Sequence, residues 1–383
     1  MKYGRKNHVN LNPLFYNICL LGESKIGKTT LVKQVCEKLV GEDGYLFLEL
    51  GMERGADAIE GINYVNCPEW DMPYDELTNS IGFADIVDDI LENKDTDYPN
   101  LQVVVWDTYD QLIGMAEKKS IALSNRANPE KKVTTINAAW GGYGRGEKKA
   151  LELMMEKMDA LRRIGVATFF IGHVKTKDIT DVVTGETYQT LTSDQQQNYF
   201  NPLKKVLHFL GLAYIDRQIV REKTGRKDQR TNQEITIGHV QSEERRIKFR
   251  DDTYCVDSGG RFADIVSDIP LNADAFIQAL NDAILKEQAK SGQSLEERKK
   301  EQAEADAKFE KRVEETIAHN KTEAKIAPII QECMEIIKTK YRGQSDVLSN
   351  IMKICADAGF KNPTEVDDLR VAQQIKEYLD SLA

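Results

Sequence analysis

The feature that most constrains this chain is the run Gly22-Glu23-Ser24-Lys25-Ile26-Gly27-Lys28-Thr29-Thr30, placed directly after the apolar stretch FYNICLL. It satisfies the pattern G-x-x-x-x-G-K-[ST] without exception. The glycines let the backbone wrap an anion with successive N–H groups pointing inward. Lys28 brings a point charge to β and γ phosphates, and the Thr29 hydroxyl is of the kind that ligates Mg²⁺. A helix starting near Lys28 adds its positive dipole end. A buried strand before the loop and a helix after it are the context this chemistry needs. Residues 22–30 are therefore expected to hold ATP with Mg²⁺.

Other apolar runs repeat the character of that strand: YLFLEL (45–50), LQVVVWD (101–107) and VATFFIGH (166–173). They are continuous rather than alternating, as in strands of a parallel sheet covered on both faces. Between them KTTLVKQVCEKLV, SIGFADIVDDILEN and KKALELMMEKMDALRRIG carry helical spacing. Such alternation predicts an α/β fold with right-handed crossovers. Further on, TIGHVQ and RRIKFRDDTYCVDSGG alternate and include turn residues, which predicts an antiparallel extension at the sheet edge.

Near residue 286 the composition shifts to Glu, Lys, Ala and Gln, all helix formers. The expected organisation is a core over 1–285, a charged helical linker over 286–325 and a small helical domain over 326–383. In the last, IAPIIQECMEIIKTKY, SDVLSNIMKICADAG and PTEVDDLRVAQQIKEYL are amphipathic. Ser345 or Asp346 is expected to cap the second of these, and Pro363 to mark the turn before the third.

No run approaches the roughly 18 apolar residues of a membrane span. The basic start lacks the apolar core and cleavage site of a signal peptide. Six cysteines lie scattered without a CxxC pair, which argues against a zinc site or a disulfide framework. A cytoplasmic protein with reduced thiols and no membrane partner is expected. The net charge of −10 disfavours non-specific nucleic-acid binding by field alone, so any such contact must come from local basic loops.

Hydrolysis needs more than the loop. Asp107, ending VVVWD, suits a carboxylate that holds Mg²⁺ through water. Glu49 and Glu53 both follow the second apolar run, and either can orient a water. His173 ends TFFIGH, where a polar side chain is either a γ-phosphate sensor or an ordinary surface residue. Asp110 reads as the cap of the next helix.

The ordered set of phosphate loop, acidic residue, strand ending in Asp107, Gly-rich loop and strand ending in a polar residue resembles the core of RecA-like ATPases. More narrowly, GMERGADAIEG, VVVWDTYDQL, GYGRGEKKALELM, FFIGHVK and GGRFADI resemble phage nucleotide-binding proteins of the RecA-like single-strand annealing or recombinase type. The resemblance spans roughly residues 14–285. It implies that Glu53 is the catalytic carboxylate, although two extra residues before it keep Glu49 open. It places His173 at the sensor position, where this phage group has histidine and RecA itself glutamine. Segments 134–149 and 175–205 fall where the family's two DNA-facing loops lie.

The first of these offers Trp140 and Tyr143 for base stacking and Arg145, Lys148 and Lys149 for phosphates, a mixture suited to single strands. The bland alternative is that Trp140 packs beneath the sheet. The second offers Tyr199, Lys204 and Lys205. The resemblance also makes Arg250 or Arg261 a cation reaching a neighbouring subunit's nucleotide, so a homo-oligomer or filament is implied. The expected function is ATP hydrolysis coupled to single-stranded DNA in recombination, annealing or replication. The C-terminal helices are a candidate contact for a single-strand-binding or replication protein. Rival readings are a helicase loader or other P-loop motor, a small-molecule kinase, and a nucleotide-dependent interaction module without DNA binding.

Overall fold

Each continuous apolar run becomes a buried strand, because both faces of the sheet are covered by helices. The computed structural model describes residues 7–180, 184–227, 234–249 and 259–382. Within these, the strands are β1 (Ile18–Gly22), β2 (Tyr45–Leu50), β3 (Tyr64–Cys67), β4 (Val103–Asp107), β5 (Ala167–Thr180), β6 (Thr187–Ser193), β7 (Phe209–Lys227), β8 (Glu234–Lys248), β9 (Gly259–Gly260) and β10 (Asp268–Pro270). The helices are α1 (Lys28–Val40), α2 (Phe83–Asn93), α3 (Tyr109–Ala127), α4 (Arg145–Arg163), α5 (Gln197–Val206), α6 (Ala273–Ala289), α7 (Leu295–Lys340), α8 (Ser345–Asp357) and α9 (Leu369–Ser381).

The sheet order is β10-β8-β7-β1-β5-β4-β2-β3. From β7 to β3 every neighbouring pair is parallel, while β8 and β10 extend the sheet antiparallel beyond β7. This is the expected α/β architecture with its antiparallel edge. Alternate residues serve opposite faces. Ile18, Leu20, Val105, Phe169 and Ile171 join a cluster with Val32 of α1 and Phe276 of α6. On the other face Trp106 packs edge-on against Phe83 and Phe170, and Phe170 against Tyr109 of α3.

Strand register decides which residues can act together. Gly22 pairs with His173 on one side and Ala213 on the other. Asp107 pairs with Ile171 and Glu49 with Asp107. The C-terminal ends of β1, β2, β4 and the parallel part of β5 therefore meet along one sheet edge, the usual ligand side of parallel α/β sheets.

Chain contacts separate two compact units, residues 1–87 with 100–306 and residues 88–99 with 307–383. The start of the charged stretch ends α6, and from Leu295 on the rest of it and the first C-terminal amphipathic segment form the single helix α7. In the second unit, Cys333, Ile351, Cys355, Ile375 and Leu379 build a small apolar core. The N-cap of α8 is Gln344 rather than Ser345 or Asp346, and its side chain makes no capping bond. Pro363 opens a short 3-10 turn whose N-cap Asn362 accepts from the Thr364 N–H. No helix among the described residues is long and apolar enough to cross a membrane.

Candidate nucleotide site

The phosphate loop leaves β1 at Gly22 and enters α1 at Lys28. Gly27 has φ of +105°, which an L side chain rarely adopts, so the tight entry into the helix depends on glycine. Ile26 is buried and anchors the loop to the core beneath. Lys28 is buried as well, with Nζ donating to the carbonyl oxygens of Gly22 (3.0 Å) and Glu23 (2.9 Å). Burial lowers its pKa, while Asp107, Asp110, Glu53 and Glu23 oppose that shift. The ammonium thus stands over the loop, facing the acids of the neighbouring strand ends.

Thr29 Oγ1 donates to Asp107 Oδ2 at 2.7 Å, so the two expected Mg²⁺ residues meet directly. Burial pushes the Asp107 carboxyl up to about 6, with the Thr29 bond pulling the other way. Glu49, next to Asp107 in register, is also buried and its pKa is pushed up to about 7, chiefly by desolvation. Its Oε1 accepts the Ala56 N–H at 2.8 Å, whereas Oε2 is buried without a protein partner among the described residues. A hydroxyl touching a buried carboxylate, a second carboxylate with an orphan oxygen and a buried lysine form a donor set that fits a Mg²⁺–triphosphate.

Glu53 lies in the turn after β2 and is the more exposed acid, with Oε1 3.8 Å from His173 Nδ1. His173 is held by Asp110, whose Oδ2 accepts both its backbone N–H (2.7 Å) and Nδ1 (2.9 Å). That bond raises the His173 pKa above the ordinary histidine value, against the effect of burial. Asp110 is therefore no helix cap, as its position suggested. It is spent on a residue brought to it by the sheet, and Gln195 Nε2 donates to its other oxygen at 2.9 Å.

Sequence reasoning also passed over Arg245 of β8, whose Nη1 donates to the Ile26 carbonyl at 3.2 Å. Nothing local marks Asp110, Gln195 or Arg245, because each meets the site only through the fold. Ser24, Lys25 and Thr30 lie within the loop and the first turn of α1. Lys25 has φ of +63°, a left-handed conformation.

The residues expected to face DNA divide. Trp140 donates its N–H to Ser124 Oγ (2.9 Å) and its indole Nε1–H to the buried Ser120 Oγ (3.2 Å), so it packs on α3. Tyr143 is 98% exposed. Arg145 opens α4 and is exposed, while Lys148 and Lys149 both pair with Glu152 at 3.8 and 3.6 Å. The second segment is a β5–β6 hairpin followed by α5 rather than a loop. Tyr199 is buried there, its hydroxyl donating to Glu117 at 2.5 Å, which removes it from any surface role. Lys204 and Lys205 lie in the last turn of α5. Arg261 bonds the Lys205 and His208 carbonyls beside the start of β7, at the sheet edge opposite the phosphate loop. Arg250 lies outside the described residues.

A mostly parallel sheet with a Lys-Thr phosphate loop at its C-terminal edge and a strand-end aspartate on the loop's threonine defines a P-loop nucleotide-binding ATPase. A family model described as an AAA domain matches residues 15–262, and the chain belongs to that family. No curated protein matches the chain.

Proposed function

We propose that this protein is a Mg²⁺-dependent ATPase that acts on single-stranded DNA as a homo-oligomer in phage recombination, annealing or replication, within the host cytoplasm. The observation that carries the reading is the single edge where Lys28, Thr29, Asp107, Glu53 and His173 meet. Lys28 would bind the β and γ phosphates, and Thr29 with Asp107 would hold Mg²⁺. When bound, that ion supplies neutralisation of charge on the phosphate oxygens. Glu53 orients the attacking water and accepts its proton at a carboxylate oxygen. His173 faces the same volume and is placed to sense the terminal phosphate.

The DNA part of the reading rests on Tyr143, on a Gly-rich turn ahead of α4, and Arg145, the first residue of that helix, both exposed. A fully exposed aromatic beside a guanidinium suits stacked, unpaired bases. Arg261 remains the candidate cation for a neighbouring subunit, and the C-terminal helices the candidate contact for a single-strand-binding or replication protein. The test is ATP turnover with and without single-stranded DNA. Lys28→Ala should lower turnover by at least about 10²–10³-fold, the scale of losing one preorganised charge partner. Wild-type turnover in that variant would refute the site. Turnover indifferent to DNA would favour a P-loop motor of another kind or an interaction module.

A further inference from the structure

Asp110 has a use that neither the phosphate loop nor the metal residues explain. Its side chain is only 10% exposed, yet it receives three donors: the His173 backbone N–H, His173 Nδ1 and Gln195 Nε2. Strand β5 is shaped to permit this. A Cβ on Gly172 would lie 2.8 Å from Leu21 Cδ2, too close without a shift, while both Asp110 oxygens would lie in ordinary contact at 3.6–3.7 Å, so the glycine lets β5 pass close to Leu21 beside the carboxylate.

His173 has a choice of acid. Its Nδ1 stands 2.9 Å from Asp110 and 3.8 Å from Glu53, and Lys28 is the facing cation. The nearer carboxylate is the more buried, where a charge-assisted hydrogen bond is stronger than at an exposed site. Asp110 therefore outcompetes Glu53 for the imidazole. Were it to lose its charge, the ring would be free to close on Glu53 and occupy the oxygens that a water needs. The second Asp110 oxygen ties this arrangement to the return of the β5–β6 hairpin. Gln195 follows that strand by two residues, and the Asp194 N–H between them donates to the His173 carbonyl at 3.0 Å.

We propose that Asp110 is a positioning residue for nucleotide hydrolysis: it holds His173 away from Glu53, with Gln195 latching the hold to the root of the β5–β6 hairpin. The proposal rests on the ATPase reading above, and one of its two measurements does not need turnover.

The first measurement is nitrogen NMR of the His173 ring, assigned by His173→Ala, in the wild type, Asp110→Asn and Gln195→Ala. Nδ1 should carry a hydrogen-bonded proton in the wild type, lose that signature in Asp110→Asn and keep a weakened one in Gln195→Ala. A ring unchanged by Asp110→Asn overturns the proposal even if the protein hydrolyses nothing. The second is steady-state ATP turnover in a double-mutant cycle. Asp110→Asn should lower kcat by about 10–100-fold, as loss of an orienting partner does, with KM within about threefold. In a His173→Ala background it should cost less than about threefold more. Multiplying effects, or a loss carried by KM, would mean that Asp110 is merely structural. If Lys28→Ala hydrolyses ATP like the wild type while the ring responds as described, the phosphate-loop site fails and the hold of Asp110 on His173 stands without its role in hydrolysis.

Discussion

Glu49, near the end of β2, and Glu53, in the turn after it, stand four residues apart, and their surroundings separate their work. Glu49 is buried with one oxygen on the Ala56 N–H, and burial makes it a weak acid near neutral pH. Glu53 is the more exposed and lies beside His173, with Lys28 and Asp107 within electrostatic reach. Glu53→Gln should keep nucleotide affinity but lower single-turnover hydrolysis by about 10²–10⁴-fold, the range of general-base assistance. Glu49→Gln preserves an oxygen for Ala56 and should lower hydrolysis at saturating Mg²⁺ far less than Glu53→Gln, acting mainly on the Mg²⁺ concentration required. The reverse ranking would exchange their roles. The phosphate loop was legible because its chemistry is local and its residue types are fixed. The choice between the two acids was not, because it turns on a bend in which Gly51 N–H donates to Cys67. Asp110 was misread for a related reason. A carboxylate at a helix start looks like a cap, and its actual partner lies 63 residues away.

At the scale of elements, continuous apolar runs gave away β1, β2, β4 and the first half of β5. The second half of β5 is Thr- and Lys-rich and mostly exposed, and β6 is Thr-rich and buried only toward its end, so no apolar periodicity announces the hairpin. Its pairing comes from the ladder alone. Adjacent strand ends have an energetic consequence, since β2 and β4 set Glu49 beside Asp107 in a buried setting. Both carboxyls have folded values, about 7 and about 6, above their ordinary ones. Such groups hold protons more tightly when folded, so their stabilising contribution is fully present below about pH 4 and lost as pH rises through 6–7. In chelator, thermal stability should therefore gain from these groups as pH falls from 8 to 5.5. A divalent cation competes with those protons, so adding Mg²⁺ with a non-hydrolysable ATP analogue should raise Tm more at pH 8 than at pH 5.5. Calorimetry across that range checks the sign. An equal increment at both pH values would separate the two acids from the metal.

For the whole molecule, the net charge of −10 sets the terms on which DNA can bind. A field of that sign repels a polyanion, so one subunit should bind a single strand weakly, and contacts must be local and repeated. The Gly-rich turn ahead of α4 meets the first condition. Trp140 is committed to Ser120 and Ser124, which leaves Tyr143 as the fully exposed aromatic of the turn, with Arg145 two residues on. Assembly with ATP would meet the second, because copies aligned on one strand add through effective concentration. Stacking is worth about 1–3 kcal/mol per base, so Tyr143→Ala should weaken binding of a labelled oligonucleotide by roughly 5–150-fold. Trp140→Ala should act mainly by loosening the turn, and so should lower Tm as well as affinity. Arg145→Ala should weaken binding with a shallower dependence on salt, since one phosphate contact is lost. Fluorescence anisotropy with the ATP analogue, over a salt series, distinguishes the three. Unchanged affinity in both Tyr143→Ala and Arg145→Ala would remove DNA from this surface and leave a nucleotide-dependent interaction module as the better reading of the fold.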